Sequence, residues 1–278
     1  MRTTATEDLE THHHRWSIDD IPFSEIQRAR IADDTFFFQI LTASSFVEIT
    51  TDLYTRNLVD YFDGDEEIRN WLESRWQHEE LRHGAALRRY VNTVWPDFDW
   101  ERNYERFHED YSRFCKTELL GPTRALEMAA RCIVETGTST LYTMLHRASP
   151  EPVLSHLTAY IRTDEAYHYK HFYQYFQRYL ACERPSRTAV LKTLLERVRE
   201  INGEDGYYAF KHAFAGSHPG RRFRKRDYRA FSRRARAIAH RHYPYRMAVN
   251  MGLKPLGLGQ RAQRITEPAV RGVIRILS

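Results

Sequence analysis

Residues 66–95 read EEIRNWLESRWQHEELRHGAALRRYVNTVW. Ile68, Leu72, Trp76 and Leu87 share one stripe at helical spacing, so the stretch predicts a helix over 66–95, stopped by Pro96. On that helix Glu80 and His83 stand three apart, which puts both side chains on one face and within reach of one metal ion. Alone, Glu-x-x-His is a weak signal, because a surface polar pair has the same spacing. Here it recurs as Glu165-Ala-Tyr-His168, on a helix predicted over 152–182 between Pro150/Pro152 and Pro185.

Two further long helices carry a charge where none belongs. In the first, predicted over 34–62 with Asp33 or Asp34 as cap, Glu48 is the only charged residue between Asp34 and Asp52. In the third, predicted from Pro122 to Ala148, Glu135 stands alone from Cys132 to Leu145. A carboxylate on an apolar helix face is costly unless it is paired or bound to a metal. The pairing alternatives are Arg56 for Glu48 and Arg131 for Glu135. Glu48 precedes Glu80 by 32 residues and Glu135 precedes Glu165 by 30, the separation of two antiparallel helices with both residues at one height. Four helices of about 25–30 residues would each span roughly 38–45 Å. With no strand alternation and a long connector over 97–120, the pattern predicts an all-α protein. Its form is a ferritin-like four-helix bundle with one long crossover and additional C-terminal helices, near 187–201 and 226–241. Four carboxylates and two imidazoles, Glu48, Glu80, His83, Glu135, Glu165 and His168, suit two hard or borderline cations and lack the thiolates that softer metals favour.

The rest of the composition narrows the classes. Gly and Pro number 12 and 10 in 278 residues, in keeping with long helices. Three cysteines, Cys115, Cys132 and Cys182, make no disulfide framework and cannot hold a four-cysteine iron–sulfur cluster. With no apolar leader or membrane-length run, the expectation is a cytoplasmic protein. Residues 1–32 are expected as an N-terminal tail, in which His12, His13 and His14 read as part of a solvated, disordered polar run rather than as a defined metal site, 33–215 as the bundle domain and 216–278 as a basic extension packed on or near it. Between Arg221 and Arg246 stand eleven Lys or Arg and one acid, a net +10 against +5 for the whole chain. The stretch has three readings: a docking surface for an acidic protein, a surface for nucleic acid or anionic membrane, or a solvated helix face. No nucleic-acid motif accompanies it, so nucleic acid is not an expected partner. The stretch from Gly252 is expected to be irregular.

Around its ligand motifs the chain resembles the soluble acyl–acyl-carrier-protein desaturases and, more broadly, the ferritin-like di-iron oxidases. The resemblance covers about residues 35–178. It rests on Trp76-Gln-His-Glu79-Glu80-Leu-Arg82-His83-Gly84, on Asp164-Glu165-x-x-His168, and on Thr138 three residues after Glu135. It implies two iron ions, with manganese an alternative in one position. Glu80 and Glu165 would bridge them, Glu48 and His83 would serve one, and Glu135 and His168 the other. It implies that Asp164 orients a ligand imidazole, that Trp76 walls or hydrogen-bonds the site, and that Thr138 delivers protons. The alternatives are a solvated acid for Asp164, a core aromatic for Trp76 and a helix-bonded hydroxyl for Thr138. The implied activity is O₂-dependent oxidation of an unactivated C–H bond of a fatty acyl chain, on an acyl carrier protein, by desaturation or hydroxylation. Electrons would come from an external donor such as a ferredoxin, and the protein would be a homodimer. The competing expectation is a ferritin-like metal-handling protein or ferroxidase without an organic substrate. Ile161 stands where arylamine N-oxygenases of this class add a histidine, which argues against that branch. His171, one turn after His168, is either an extra ligand or a polar neighbour.

Overall fold

In a computed structural model of the chain, the structure describes residues 16–115, 120–200, 206–218, 220–259, 268 and 272. His12–His14 lie outside the described residues. Among the described residues all regular structure is helical. The helices are α1 (Thr35–Ile49), α2 (Thr51–Tyr61), α3 (Glu66–Trp71), α4 (Gln77–Val94), α5 (Trp100–Tyr111), α6 (Arg124–Ala148), α7 (Pro152–Glu183), α8 (Arg187–Glu200), α9 (Gly206–Ser217), α10 (Lys225–His242) and α11 (Tyr245–Leu253). Among the described helices none is long and apolar enough to cross a membrane.

Caps set several of the boundaries. Asp34 accepts from the N–H groups of Phe36 and Phe37 and starts α1. Thr123 caps α6, so this helix begins at Arg124 and not at the predicted Pro122. Glu151 caps α7 with Pro152 at its first position.

Both predicted helices of the first half are interrupted. The first breaks at Thr50, where φ −82° and ψ 3° leave the helical region. The run Ile49-Thr50-Thr51 is β-branched, and the Thr50 hydroxyl returns to Phe46 O at 2.8 Å, which loosens the turn. The second carries a π turn over Leu72–Trp76, between α3 and α4. Residues five apart in an α-helix point about 140° from each other; one π turn brings them to the same side. Trp71 and Trp76 accordingly both meet the Phe172 ring edge-on, at 5.0 and 5.6 Å.

The core is built from two helix pairs, α1 with α4 and α6 with α7, joined across by α4 and α7. Phe36, Leu41, Phe46, Tyr90 and Leu157 fill one apolar cluster; Phe62, Leu72, Met128, Phe172 and Phe176 fill the other. At Gly84 α1 and α4 approach closely: a Cβ there would stand 2.4 Å from Ile49 Cγ1 and 2.7 Å from Ile49 N. That contact fixes Glu48 at the level of His83.

Two expectations change outside the bundle. Trp16, Ile21, Phe23 and Ile31 are buried, so residues 16–32 are not a tail but a run of short 3₁₀ turns. Their apolar side chains gain more from the core than the segment loses in freedom. Residues 245–253 are helical, a 3₁₀ turn covers Lys254–Leu256, and Gly257 (φ 58°) follows it. Helix α9, which no sequence signal singled out, packs on α1, and its Ala209 and Ala213 join the first apolar cluster.

Candidate metal centre

The fold gathers Glu48 from α1, Glu80 and His83 from α4, Glu135 from α6, and Glu165 and His168 from α7. They form two overlapping quartets, Glu48–Glu80–His83–Glu165 and Glu80–Glu135–Glu165–His168, in each of which one donor atom per residue lies within 4.8 Å of the others. Glu80 and Glu165 belong to both. All six side chains are buried.

The inner imidazole nitrogens are the informative atoms. His83 Nδ1 stands 3.2 Å from Glu165 Oε1, and His168 Nδ1 stands 3.0 Å from Glu80 Oε1. Neither nitrogen makes a hydrogen bond of acceptable geometry, nor do Glu135 Oε2 and Glu165 Oε1, although all four atoms are buried. Orphaned buried polar atoms are rare. Four of them in two facing pairs, His83 Nδ1 with Glu165 Oε1 at 3.2 Å and His168 Nδ1 with Glu135 Oε2 at 3.7 Å, match donors placed around cations at roughly 2.1 Å. The residues therefore fit a metal pair: four carboxylates and two neutral imidazoles balance two divalent cations.

The outer nitrogens are held. His83 Nε2 lies 2.8 Å from Asp164 Oδ2, and His168 Nε2 lies 2.8 Å from Glu79 Oε2. The arrangement crosses over: the acid before each ligand glutamate holds the histidine of the other helix. Each acid has its own cation, Arg82 on Asp164 at 2.8 Å and Arg75 on Glu79 at 3.1 Å. Asp164 also accepts from Trp16 Nε1 at 2.7 Å, and the Trp16 ring stacks parallel to His83 at 6.1 Å. With Nε2–H engaged, Nδ1 faces the ligand cluster in both histidines.

Burial and crowding set the proton affinities. Burial, with the neighbouring Glu80 and Glu165, pushes Glu48 well up. Burial pushes Glu80 to about 7 and Glu135 to about 8, with Glu165 adding to both. Burial opposes the charge on His83, yet Asp164 and Glu165 raise it to about 9. Burial would likewise raise Glu165, but His168 and His83 hold it down. The metal-free cluster thus keeps protons that cations must displace.

Of the other residues singled out in the sequence, Thr138 donates to Glu165 Oε2 at 2.6 Å, besides its bonds to the preceding helical turn. Asp164 is buried and orients an imidazole, so the solvated-acid alternative falls. Trp76 does not reach a ligand: it lies in the second apolar cluster and its N–H meets no acceptor. The π turn aims it at Phe172, and the indoles beside the ligand imidazoles are Trp16 and Trp71. His171 stacks on Trp71 at 5.0 Å and joins neither quartet. Arg131 pairs with Glu127 at 2.7 Å and Arg56 is exposed, so neither neutralises Glu135 or Glu48.

Glu79, Trp16, Trp71 and Tyr142 were missed as site residues. Glu79 had a signal, since Glu79-Glu80 parallels Asp164-Glu165. Tyr142, whose hydroxyl donates to Glu48, is seven residues after Glu135 and has no signal of its own. No family model, curated protein or solved structure matches this chain.

Proposed function

We propose that this chain is a ferritin-like four-helix bundle holding two iron ions. In this reading it is an O₂-dependent oxidoreductase acting on an unactivated C–H bond of a fatty acyl chain presented by a carrier protein. The observation that carries the reading is the pair of overlapping quartets, with their orphaned inner atoms and with Thr138 on the shared Glu165. When bound, the metal pair supplies the O₂-activating redox chemistry.

The protein's own residues do the rest. Asp164 and Glu79 fix the imidazoles, and Arg82 and Arg75 neutralise those acids so that the buried centre carries no surplus charge. Thr138 is partly exposed while its hydroxyl touches Glu165, so it can pass a proton between the outside and a shared carboxylate. Tyr142 holds Glu48 in place. Val134, Gly137 and Leu141 are the other partly exposed residues on this stretch of α6, and none is acidic. An apolar approach favours a hydrocarbon substrate over a path for incoming ions. Three cysteines cannot hold a four-cysteine iron–sulfur cluster, and in this reading electrons come from an external donor such as a ferredoxin.

The test is anaerobic loading with ferrous iron, followed by O₂ and a panel of acyl carrier proteins, read by mass spectrometry. The expected result is two irons per chain and an acyl product that has lost two hydrogens or gained one oxygen. Rapid iron oxidation with every acyl chain unchanged would overturn the reading in favour of a ferroxidase.

A further inference from the structure

A shallow, wide-mouthed hollow of about 510 Å³ lies at the corner between α10 and α11, lined by Arg147, Tyr243, Tyr245, Arg246, Met247 and Asn250. That volume lies in the range of small-molecule sites. Its walls are aromatic and aliphatic, and its charges are both guanidinium. Arg147 reaches the carbonyl of His242 at 3.4 Å, and among the described residues no carboxylate pairs with Arg147 or Arg246. Arg162 adds a third unpaired cation nearby. It is half-buried, and burial together with Arg147 holds its guanidinium below its ordinary value. Three cations with no acid among them, beside an apolar hollow, form a receptor for an anion attached to something apolar.

The pocket wall rests on α6. Tyr243, on its wall, shares a 3.0 Å hydrogen bond with Thr140, whose hydroxyl lies 3.0 Å from Gly137 O. Met247 touches Thr143, and Gly252 lies beside Ile133, which sets Asn250 near the level of Gly137. A Cβ on Gly137 would meet nothing within 4 Å. Helices α6 and α7 are antiparallel, and Thr138 bonds Glu165, so partly exposed Ala166 shares the level of Gly137. Two small residues thus flank the Thr138–Glu165 bond, with open space at the Gly137 Cβ position. From Arg147 to Thr138 the helix rises about 14 Å.

We propose that this pocket binds the anionic head group of an amphiphile, with the guanidinium groups on the head and the apolar chain running along α6 toward Gly137. The direction of the chain rests on the function proposed above; the head-group site does not. Titration calorimetry on the full-length, metal-free protein tests it with decanoate, decyl phosphate, decanol and acetate.

At least one decyl anion is expected to bind, and which of the two binds identifies the head group as carboxylate or phosphate. Decanol and acetate are expected to be at least tenfold weaker. Arg147→Gln with Arg246→Gln should cost at least tenfold, while the corresponding Lys pair should stay within about threefold. Gly137→Leu should weaken the decyl anion and leave butyrate unchanged. Decanol or acetate binding as tightly as the decyl anion would overturn the proposal. So would unchanged binding in the double Gln variant with an unaltered melting temperature. Because no metal is present, a failure of the oxidation experiment leaves this result standing, and a failure here leaves that reading standing.

Discussion

Asp164 and Glu79 sit one residue before Glu165 and Glu80 and hold His83 and His168 at 2.8 Å. An imidazole anchored through its outer N–H is a better and better-aimed ligand. Asp164→Asn and Glu79→Gln should each lower metal affinity about 10- to 100-fold, read by competition with a chromophoric chelator. A loss under twofold in both would mean that these acids do not position the ligands. Gly84 acts through space rather than charge. Its Cβ position is 2.4 Å from Ile49 Cγ1, so Gly84→Ala must push α1 away from α4. The expected cost is about 1–3 kcal/mol in chemical denaturation, with weaker metal binding through displaced Glu48. An unchanged denaturation midpoint would show that the two helices separate freely.

At the scale of elements, two interruptions do the aiming. The break at Thr50 follows Glu48 by two residues, and the π turn over Leu72–Trp76 ends just before Glu79. Deleting Ser74 should convert the π turn to α geometry and leave Trp71 and Trp76 four residues apart, about 40° from each other, so that both still face Phe172. Melting temperature and metal stoichiometry should both stay close to those of the parent protein, since all six ligands lie downstream or on other helices. A clear fall in melting temperature or a loss of metal binding would contradict this. Helix α10 divides its labour by face. Phe231, Ala235 and Ile238 pack on the core. Arg234 is engaged with Asp34 at 2.9 Å and with the Phe36 ring. Arg226, Arg229, Arg233 and Arg236 are exposed at spacings of three and four, a continuous cationic stripe. With the apolar face already buried, little remains to insert into a membrane, and in the function proposed above the stripe docks the acidic carrier protein. Arg233→Glu with Arg236→Glu should weaken binding of an acidic carrier protein several-fold at low salt and less at high salt. Arg234→Glu should instead lower stability. Equal carrier affinity in the double variant would assign the stripe to solvent alone.

For the whole molecule, pH and metal act on one balance. In the metal-free fold, Glu80 (about 7), Glu135 (about 8) and His83 (about 9) hold protons that the unfolded chain gives up at lower pH. The folded state therefore binds more protons between about pH 5 and 9, and stability must fall as pH rises through that window. Metal loading should remove this dependence, because the cations replace the protons. Melting curves at pH 6 and pH 8.5, with and without ferrous iron under anaerobic conditions, check the sign. Metal-free protein more stable at the higher pH would refute it. Much of this centre was legible in the chain. Helical periodicity, two isolated glutamates and two Glu-x-x-His pairs are local facts, and a spacing near 30 residues suffices to set four ligand positions level. The crossing of Asp164 to His83 and of Glu79 to His168 was not legible, because it depends on how α4 and α7 face each other. Nor was the place of Trp16, which lies 148 residues from Asp164. Its burial depends on a surface that exists only once the bundle has formed. The choice between the two readings of Trp76 has the same root, since one π turn redirects an indole that regular helical spacing aims elsewhere. The sequence by itself determined the element type and the six polar residues, because periodicity and the cost of burying charge act along the chain. Only the tertiary structure decided which atoms meet, because contacts across helices depend on register, close approach at Gly84, and local breaks that no periodicity records.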